Sequence, residues 1–301
     1  MSEWQLIDYI RKAVHDRPLV KQGIGDDTAV LASHPREILV ATDTILEGSH
    51  FDLKTAHPEQ IGHKAVAVNL SDIAAMGGVA ESVLIAISAG PQHDQSFLEA
   101  LFSGIVATCN HHQVSIVGGD TTAWQGGLAI TVTVIGRPHP LRQAILRSGA
   151  KPGDLIVVTG PLGDSLASGH HLSFQPRLEE ARQICNLIQP TSMIDLSDGL
   201  ASDLGHICRA SGVAAILKRS AIPLAASLTH LPREEALNHA LGDGEDFELC
   251  FTIAEADFTH LQSLPFPLHV IGHMTEGSGI SWDHGEAITI QGFEHQFQKK
   301  Q

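Results

Sequence analysis

Basic residues are scarce in this chain: 19 lysines and arginines stand against 34 aspartates and glutamates, a formal charge of -15. Over most of such a surface the phosphates of nucleic acid and anionic lipid are repelled, which disfavours the electrostatic attraction that dominates non-specific binding of either. An acidic protein of this kind can still bind phosphate where metal cations mediate. Cysteine is rarer still, at four residues. Cys109, Cys185, Cys208 and Cys250 lie far apart with no CxxC pair, so neither a zinc site nor a disulfide framework is signalled, and four buried thiols in a reducing compartment are expected. Long apolar runs are missing as well: no stretch approaches the roughly 18 residues of a membrane span. The opening "MSEWQLIDYI" has neither a basic n-region nor an apolar h-region, so a soluble, cytoplasmic location is expected. There is no GxxxxGK followed by Ser or Thr, which excludes a P-loop, and no HRD or DFG set. Repeats and low-complexity segments are absent too.

What is present is an ordinary globular composition, 43% hydrophobic over 301 residues, a length that exceeds one hydrophobic core and predicts two domains. The two prolines of "RPHPLRQ" mark the boundary, giving residues 1–138 and 139–301. "REILVATD" reads as a strand that delivers Asp43 to its end. In "HPEQIGHKAVAVNLSDIAAMGG" Pro58 fits the first helical position, Gly77 and Gly78 the stop, and Ile61, Ala65, Val68, Ile73 and Met76 recur at helical spacing. Asn69, Asp72 and Lys64 form a polar strip on that helix. "ESVLIAISAG" and "VSIVGGD" read as buried strands flanking a helix, and "GLAITVTVIG" alternates as a strand. In the second half "GDLIVVTG", "FELCFTI" and "LHVIGHM" are strands, while "PRLEEARQICNLI" and "GLASDLGHICRASG" are amphipathic helices. The order alternates α and β. The adjacent pairs His111–His112 and His170–His171 point different ways and are read as surface residues.

Aspartates recur where an apolar strand meets glycine: "GIGDD", "ATDT", "VGGDTT", "IDLSDGL" and "LGDGED". Strand ends with glycine turns are where an α/β fold places ligands, because the backbone approaches closely there. Each piece also has a plain structural account. "GDD" is a good solvated turn, Ser197 or Asp198 is a natural helix cap, and Asp72 is one helix carboxylate among others. Five such places in one chain favour a gathered cluster, and gathered carboxylates need either raised pKa values or cations. Carboxylate and hydroxyl oxygens without a Cys or His cluster suit magnesium better than zinc, so Asp26 and Asp27 expect magnesium. Arg147 and Lys151 in "RSGAKPGD" suit phosphate or form a basic turn. His50, just past Asp43, is read as a ligand contact or a turn histidine.

In order, "GIGDDTAVL", "ATDTILEGSHF", "AVNLSDIAAMGG", "VGGDTT", "RSGAKPGD", "IDLSDGL" and "LGDGEDFELCFT" resemble the thiamine-monophosphate kinase family over about residues 20 to 295. The resemblance implies an α/β (α+β) protein of the two-domain aminoimidazole ribonucleotide synthetase-like fold, with the N-terminal domains pairing in a homodimer. It implies transfer of the ATP γ-phosphoryl group to thiamine monophosphate, giving thiamine diphosphate. The magnesium ligands carried over by the motifs are Asp27, Thr42, Asp43, Asp72, Asp120, Asp195 and Asp198, of which Asp43, Asp72 and Asp120 are placed at the chemistry. Gly119, Asp120, Arg147 and Ser197 match ATP contacts, and His50, Glu245 or Asp246, and Phe293 match substrate contacts. Ala41 departs from the serine or threonine that relatives carry beside Thr42, which leaves only its backbone carbonyl for a metal.

The implied chemistry explains why no catalytic base stands out. A phosphate monoester with a second pKa near 6 is mostly a dianion at neutral pH and needs no base to attack. The task is to bring it up to a polyphosphate, which bridging magnesium ions achieve by screening and aligning both. Two other readings remain open from the sequence. One is another magnesium–ATP synthetase of the same superfamily, although the first cysteine, Cys109, lies far from the N-terminal position a selenophosphate synthetase uses. The other is a non-catalytic nucleotide-binding module.

Overall fold

The computed structural model describes residues 12–13, 20–22, 30–31 and 38–289. The chain divides into two compact units: Met1–Ile73, Gly78–Pro138 and Leu172–Pro176 form the first, and Ala74–Gly77, His139–His171 and Arg177–Gln301 the second.

In the first unit a short antiparallel pair, β1 (Val20–Gln22) and β2 (Val30–Leu31), accompanies a four-stranded sheet. The sheet comprises β3 (Leu39–Leu46), β4 (Gly78–Ala89), β5 (Ser115–Ala123) and β6 (Ala129–Pro138), in the order β3-β6-β4-β5. Only β4 and β5 run parallel. Period-two alternation decides its faces. Ile130, Val132 and Val134 of β6 are fully buried, whereas Ala129, Thr131 and Thr133 between them are only partly covered. Helix α1 (Pro58–Ala75) lies on the buried face, where a Cβ on Gly136 would meet Ile73 at 3.1 Å. Helix α2 (Gln95–His111) starts at Asp94, whose carboxylate accepts from the Phe97 N–H at 2.8 Å, and that bond lowers the Asp94 pKa. The two helices touch backbone to backbone. A Cβ on Gly62 would sit 2.1 Å from the Leu101 carbonyl, and one on Gly104 2.0 Å from that of Glu59.

The segment Leu172–Pro176 belongs to this unit although its flanks belong to the other. Phe174 is buried, and its carbonyl lies 2.7 Å from His63 Nε2, which must therefore carry the donated proton.

The second unit is built on a six-stranded sheet in the order β12-β9-β11-β7-β10-β8. Its strands are β7 (Leu155–Val158), β8 (Ser192–Asp195), β9 (Ala214–Leu217), β10 (Leu249–Ile253), β11 (His269–Thr275) and β12 (Gly279–Trp282), all antiparallel to their neighbours except β12 with β9. Both faces are covered. Ile156, Val158 and Cys250 pack with Leu204 and Ile207 of α4 (Leu200–Ser211), while Val157, Phe251 and Ile253 pack with Ile184 and Cys185 of α3 (Leu178–Leu187). Each large side chain buried in this way stabilises by about 1.5–3 kcal/mol. A further helix, α5 (Arg233–Gly242), follows β9. All four cysteines are buried and unpaired, and burial pushes the Cys109 and Cys185 thiols up to about 12.

Several expectations change. Asp43 and Asp120 are not at strand ends: β3 continues through Thr44, Ile45 and Leu46, and β5 through Thr121, Thr122 and Ala123. The β-branched residues after each aspartate carry the strand on. His171 is not a surface residue but buried, with Nδ1 2.9 Å from the Ser165 carbonyl. The elements β9, β12 and α5, unread in the sequence, are short or weakly patterned.

Candidate active site

In the first unit the register sorts the motif residues onto two faces. Asp43 pairs with Val132 and Val132 with Ile85, so Asp43 belongs to the α1 side of the sheet. Its backbone N–H donates to Asn69 Oδ1 at 3.0 Å. Asp72 lies one turn beyond Asn69 on α1, which brings the "ATDT" and "NLSD" motifs together. The neighbour Thr42 points the other way: its hydroxyl donates to the Val132 carbonyl at 3.1 Å and lies 3.0 Å from Thr133 Oγ1.

Asp120 also belongs to that open face, and a single irregularity puts it there. In β5 Ile116 pairs with Val83 but Gly118 with Leu84, so Val117 is an extra residue. From that bulge onward every side chain is on the opposite face from where strict alternation would leave it. Asp120 then pairs with Ala86, in line with Thr131 and Thr44, and its carboxylate accepts from Thr122 Oγ1 at 3.1 Å. A Cβ on Gly119 would lie 1.9 Å from the Ile85 carbonyl, so β5 packs here only because the residue is glycine. Asp43 and Asp120 are three inter-strand steps of ~4.8 Å apart, or ~14 Å, and on opposite faces. Asp43, Asp72 and Asp120 of one chain therefore do not converge as the motif spacing suggests. Among the described residues no group of three acidic, histidine or cysteine side chains is placed to hold a metal ion.

His50 follows β3 in a tight turn. Its Nδ1 accepts from the Leu46 N–H at 3.0 Å, which puts the ring proton on Nε2, and its carbonyl accepts from Lys64 Nζ at 2.7 Å. Lys64, part of the polar strip on α1, is fully buried. Its role in fixing this turn is invisible in the helical spacing.

The second unit gathers its motif residues much more tightly. Asp195 ends β8, paired with Leu249 of β10. Beyond it the Phe247 N–H donates to the Leu196 carbonyl at 2.8 Å and the Glu245 N–H to the Ser197 carbonyl at 2.7 Å, so "LSDG" and "GDGEDF" are laced together. Gly199 and Gly244 have φ of 105° and 74°, and a Cβ on Gly244 would lie 2.7 Å from the Ser197 carbonyl. Glu245 and Phe247 are also left-handed, at 57° and 50°. Such backbone costs of order 1 kcal/mol or more per residue and persists only where the surroundings enforce it.

Three carboxylates in and after this loop hold the turn at residues 159–165. Asp243 accepts from the Asp164 N–H at 3.0 Å, and Asp246 from the Gly163 N–H at 2.9 Å and Ser165 Oγ at 2.7 Å. Glu248 accepts from Thr159 Oγ1 at 2.6 Å and from Arg177. Burial, reinforced by the Glu248 and Asp243 charges, pushes Asp246 up to about 7. Asp246 is thus engaged in structure, and of the pair Glu245 and Asp246 it is Glu245 that is partly accessible.

Sequence reading missed Asp203. It is buried one turn into α4 and accepts from the Asp198 N–H at 3.0 Å. Burial and the charges of Asp195 and Asp198 push it up to about 8, while Arg147 acts to lower it. Asp195, Asp198, Asp203 and Arg147 therefore form one electrostatic neighbourhood, and an i, i+5 contact across a loop-to-helix turn leaves no periodic trace in the sequence. The residues Asp26, Asp27 and Phe293 lie outside the described residues.

Residues 25–137 match the family model for the AIR synthase related protein, N-terminal domain. A thiamine-monophosphate kinase of Escherichia coli (strain K12) is 37% identical over 98% of each chain, and one from Bacillus subtilis (strain 168) is 34% identical over 92% of each. The chain belongs to the thiamine-monophosphate kinase family. A crystal structure of such a kinase from Stenotrophomonas maltophilia K279a superimposes with a TM-score of 0.82 at 35% identity, covering 96% of this chain and 98% of that one. AaThiL complexed with AMPPCP and TMP gives 0.78 at 29% identity, covering 98% and 97%. A hydrogenase maturation protein HypE in complex with ATP, at 19% identity and a TM-score of 0.77, shares the fold. The family's mixed α/β architecture is the one described above.

Proposed function

We propose that this protein transfers the γ-phosphoryl group of ATP to the phosphate of thiamine monophosphate, giving thiamine diphosphate and ADP, in the cytoplasm. The observation that carries the reading is the near end-to-end similarity to thiamine-monophosphate kinases, 37% identical over 98% of both chains for the Escherichia coli protein. The interlocked loops of the second unit support it, since they hold Asp195, Ser197, Asp198 and Glu245 on one strained edge.

In this reading Arg147 and Ser197 engage the polyphosphate, Gly119 and Asp120 contact the nucleotide, and the Nε2–H of His50 and the carboxylate of Glu245 meet thiamine monophosphate, with Phe293 a further contact. Asp27, Thr42, Asp43, Asp72, Asp120, Asp195 and Asp198 are the magnesium donors. The donor chemistry fits that metal: oxygen ligands only, and in the second unit carboxylates gathered closely enough that Asp195 and Asp198 raise the Asp203 pKa, a repulsion a cation would relieve. Magnesium when bound supplies screening between the two anions and stabilises charge on the departing ADP. The chain's part is to orient the acceptor dianion in line, which lowers the barrier by several kcal/mol.

The open face of the first unit's sheet supports a homodimer. Val40, 65% exposed, and the threonine pairs Thr42–Thr133 and Thr44–Thr131 stand on it beside Asp120. Pairing two chains there would set Asp120 and Thr42 of one protomer against its partner, supplying neighbours that one chain alone does not give them.

The test is ADP release by the purified protein with magnesium and ATP, comparing thiamine monophosphate, thiamine and an aminoimidazole-type acceptor. Turnover restricted to thiamine monophosphate is expected, and its absence with that acceptor overturns the reading.

A further inference from the structure

The hydrogen-bond inventory of one serine stands out in the second unit. Ser211 is the last residue of α4, at the end opposite Asp198, and its hydroxyl is fully used. It accepts from the Gly149 and Ala150 N–H groups, both at 3.1 Å, and donates to the Arg147 carbonyl at 3.3 Å. One donor and two acceptor sites are the whole capacity of a hydroxyl. These bonds close the turn that carries Arg147.

Backbone contacts also hold the chain on both sides of the turn: the Ile145 N–H donates to the Met76 carbonyl at 3.0 Å, and Ala150 is buried. On its N-terminal side the Leu146 carbonyl accepts from the Met193 N–H at 3.1 Å, anchoring the chain beside β8. On its C-terminal side Gly149 has φ of 124°, and a Cβ there would lie 2.3 Å from the Thr191 carbonyl, so this residue passes close to the chain entering β8. Arg147 itself is exposed. Its charge nevertheless acts on Asp203 and His206 of α4, so the guanidinium lies within electrostatic reach of the helix whose first turn follows Ser197 and Asp198. The backbone anchor at Leu146 survives any side-chain change. The Ser211 anchor does not.

We infer that Ser211 is a positioning residue for Arg147: through its three hydrogen bonds it fixes the backbone from which the guanidinium reaches the nucleotide phosphates. The inference rests on the proposed contact between Arg147 and ATP. A long side chain held at its base loses less freedom on binding a phosphate than one on a loose turn, and that difference appears in nucleotide affinity.

The experiment measures KM for ATP and for thiamine monophosphate, the calorimetric Kd of a non-hydrolysable ATP analogue, and Tm, in Ser211→Ala, Ser211→Cys, Ser211→Thr, Arg147→Ala and the double variant Ser211→Ala/Arg147→Ala. Ser211→Ala is expected to raise the KM for ATP and the analogue Kd about tenfold, the scale of one or two net hydrogen bonds. KM for thiamine monophosphate and Tm should change little, Ser211→Thr should restore ATP affinity, and the double variant should be no worse than Arg147→Ala alone. Ser211→Cys keeps the size with a weaker donor and gives the same comparison if the alanine variant does not fold. Unchanged ATP affinity in Ser211→Ala and Ser211→Cys, beside a weakened Arg147→Ala, overturns the inference. So does an equal loss for both substrates with a lowered Tm, which marks a purely structural serine. Unchanged ATP affinity in Arg147→Ala instead removes the nucleotide role of Arg147 on which the inference stands.

Discussion

The two units present their acidic motifs in contrasting ways. In the first, Asp43 and Asp120 stand within regular strands and the sheet register sends them to opposite faces. In the second, Asp195, Asp198 and Glu245 come together on irregular backbone, where glycines and left-handed residues let two loops touch. A strand can offer a side chain only to one face or the other, and its neighbours stand at fixed spacings. A loop can bend its carboxylates toward one point but must be held in strained conformations to do so. The C-terminal unit is therefore a built edge, and the N-terminal sheet a two-sided platform.

The largest expected effect tests whether both arrangements serve one reaction. Asp120→Ala and Asp198→Ala should each lower kcat about 10²–10³-fold at ordinary magnesium, with near-native circular dichroism. Near-normal turnover in either would assign the chemistry to the other unit alone.

Deleting Val117 sharpens the platform half of the contrast. With the extra residue gone, Gly118 follows Ile116 directly, still meets Leu84, and Asp120 still meets Ala86 on the open face. Turnover should therefore stay within a few-fold of the parent, while urea unfolding loses about 1.5–3 kcal/mol with the missing buried valine. Turnover reduced as far as in Asp120→Ala would show that the strand slides by one residue and turns Asp120 to the Val132 side.

The loop half is addressed by Gly244→Ala. At φ of 74° with the Ser197 carbonyl 2.7 Å from the new Cβ, the change should cost about 1–3 kcal/mol and lower kcat/KM several-fold. Chemical denaturation reads the first and steady-state kinetics the second. A neutral outcome would show that the two loops move freely past each other.

The smallest effect is a pH slope. Asp246 releases its proton near the usual carboxylate range when unfolded but at about 7 when folded. As pH rises from 4 to 7 the unfolded chain ionises first, so this group's contribution to folding stability falls across that window. Asp246→Asn should flatten the Tm profile between pH 4 and 7 relative to the parent, most visibly at its upper end. Parallel profiles would show that the burial around Asp246 does not hold its proton.

Much of this was legible in the sequence. Pro58 and the paired glycines bounded α1 because proline and glycine act on the backbone directly, and the alternation of "GLAITVTVIG" read as β6 because one face of that strand is buried. The membership of Asp195, Ser197 and Asp198 in one motif also survived intact, since their relation is local. Lys64, Asp203 and Ser211 were not legible as site residues. Each acts through a contact with a backbone group outside its own helix, at the His50 carbonyl, the Asp198 N–H and the turn after Arg147, and no spacing rule records which atom a side chain will meet there.

Local patterning and charge by themselves determined that this chain makes strands and helices in this order, carries too little positive charge to attract polyanions unaided, and concentrates aspartates beside glycines. Those properties depend on each residue and its near neighbours. The face to which each aspartate turns was decided only in three dimensions, by one extra residue at Val117 in β5 and by the close passage of Gly244 against Ser197. A strand's register is a relation between segments far apart in sequence, and a shift of one residue reverses every side chain beyond it.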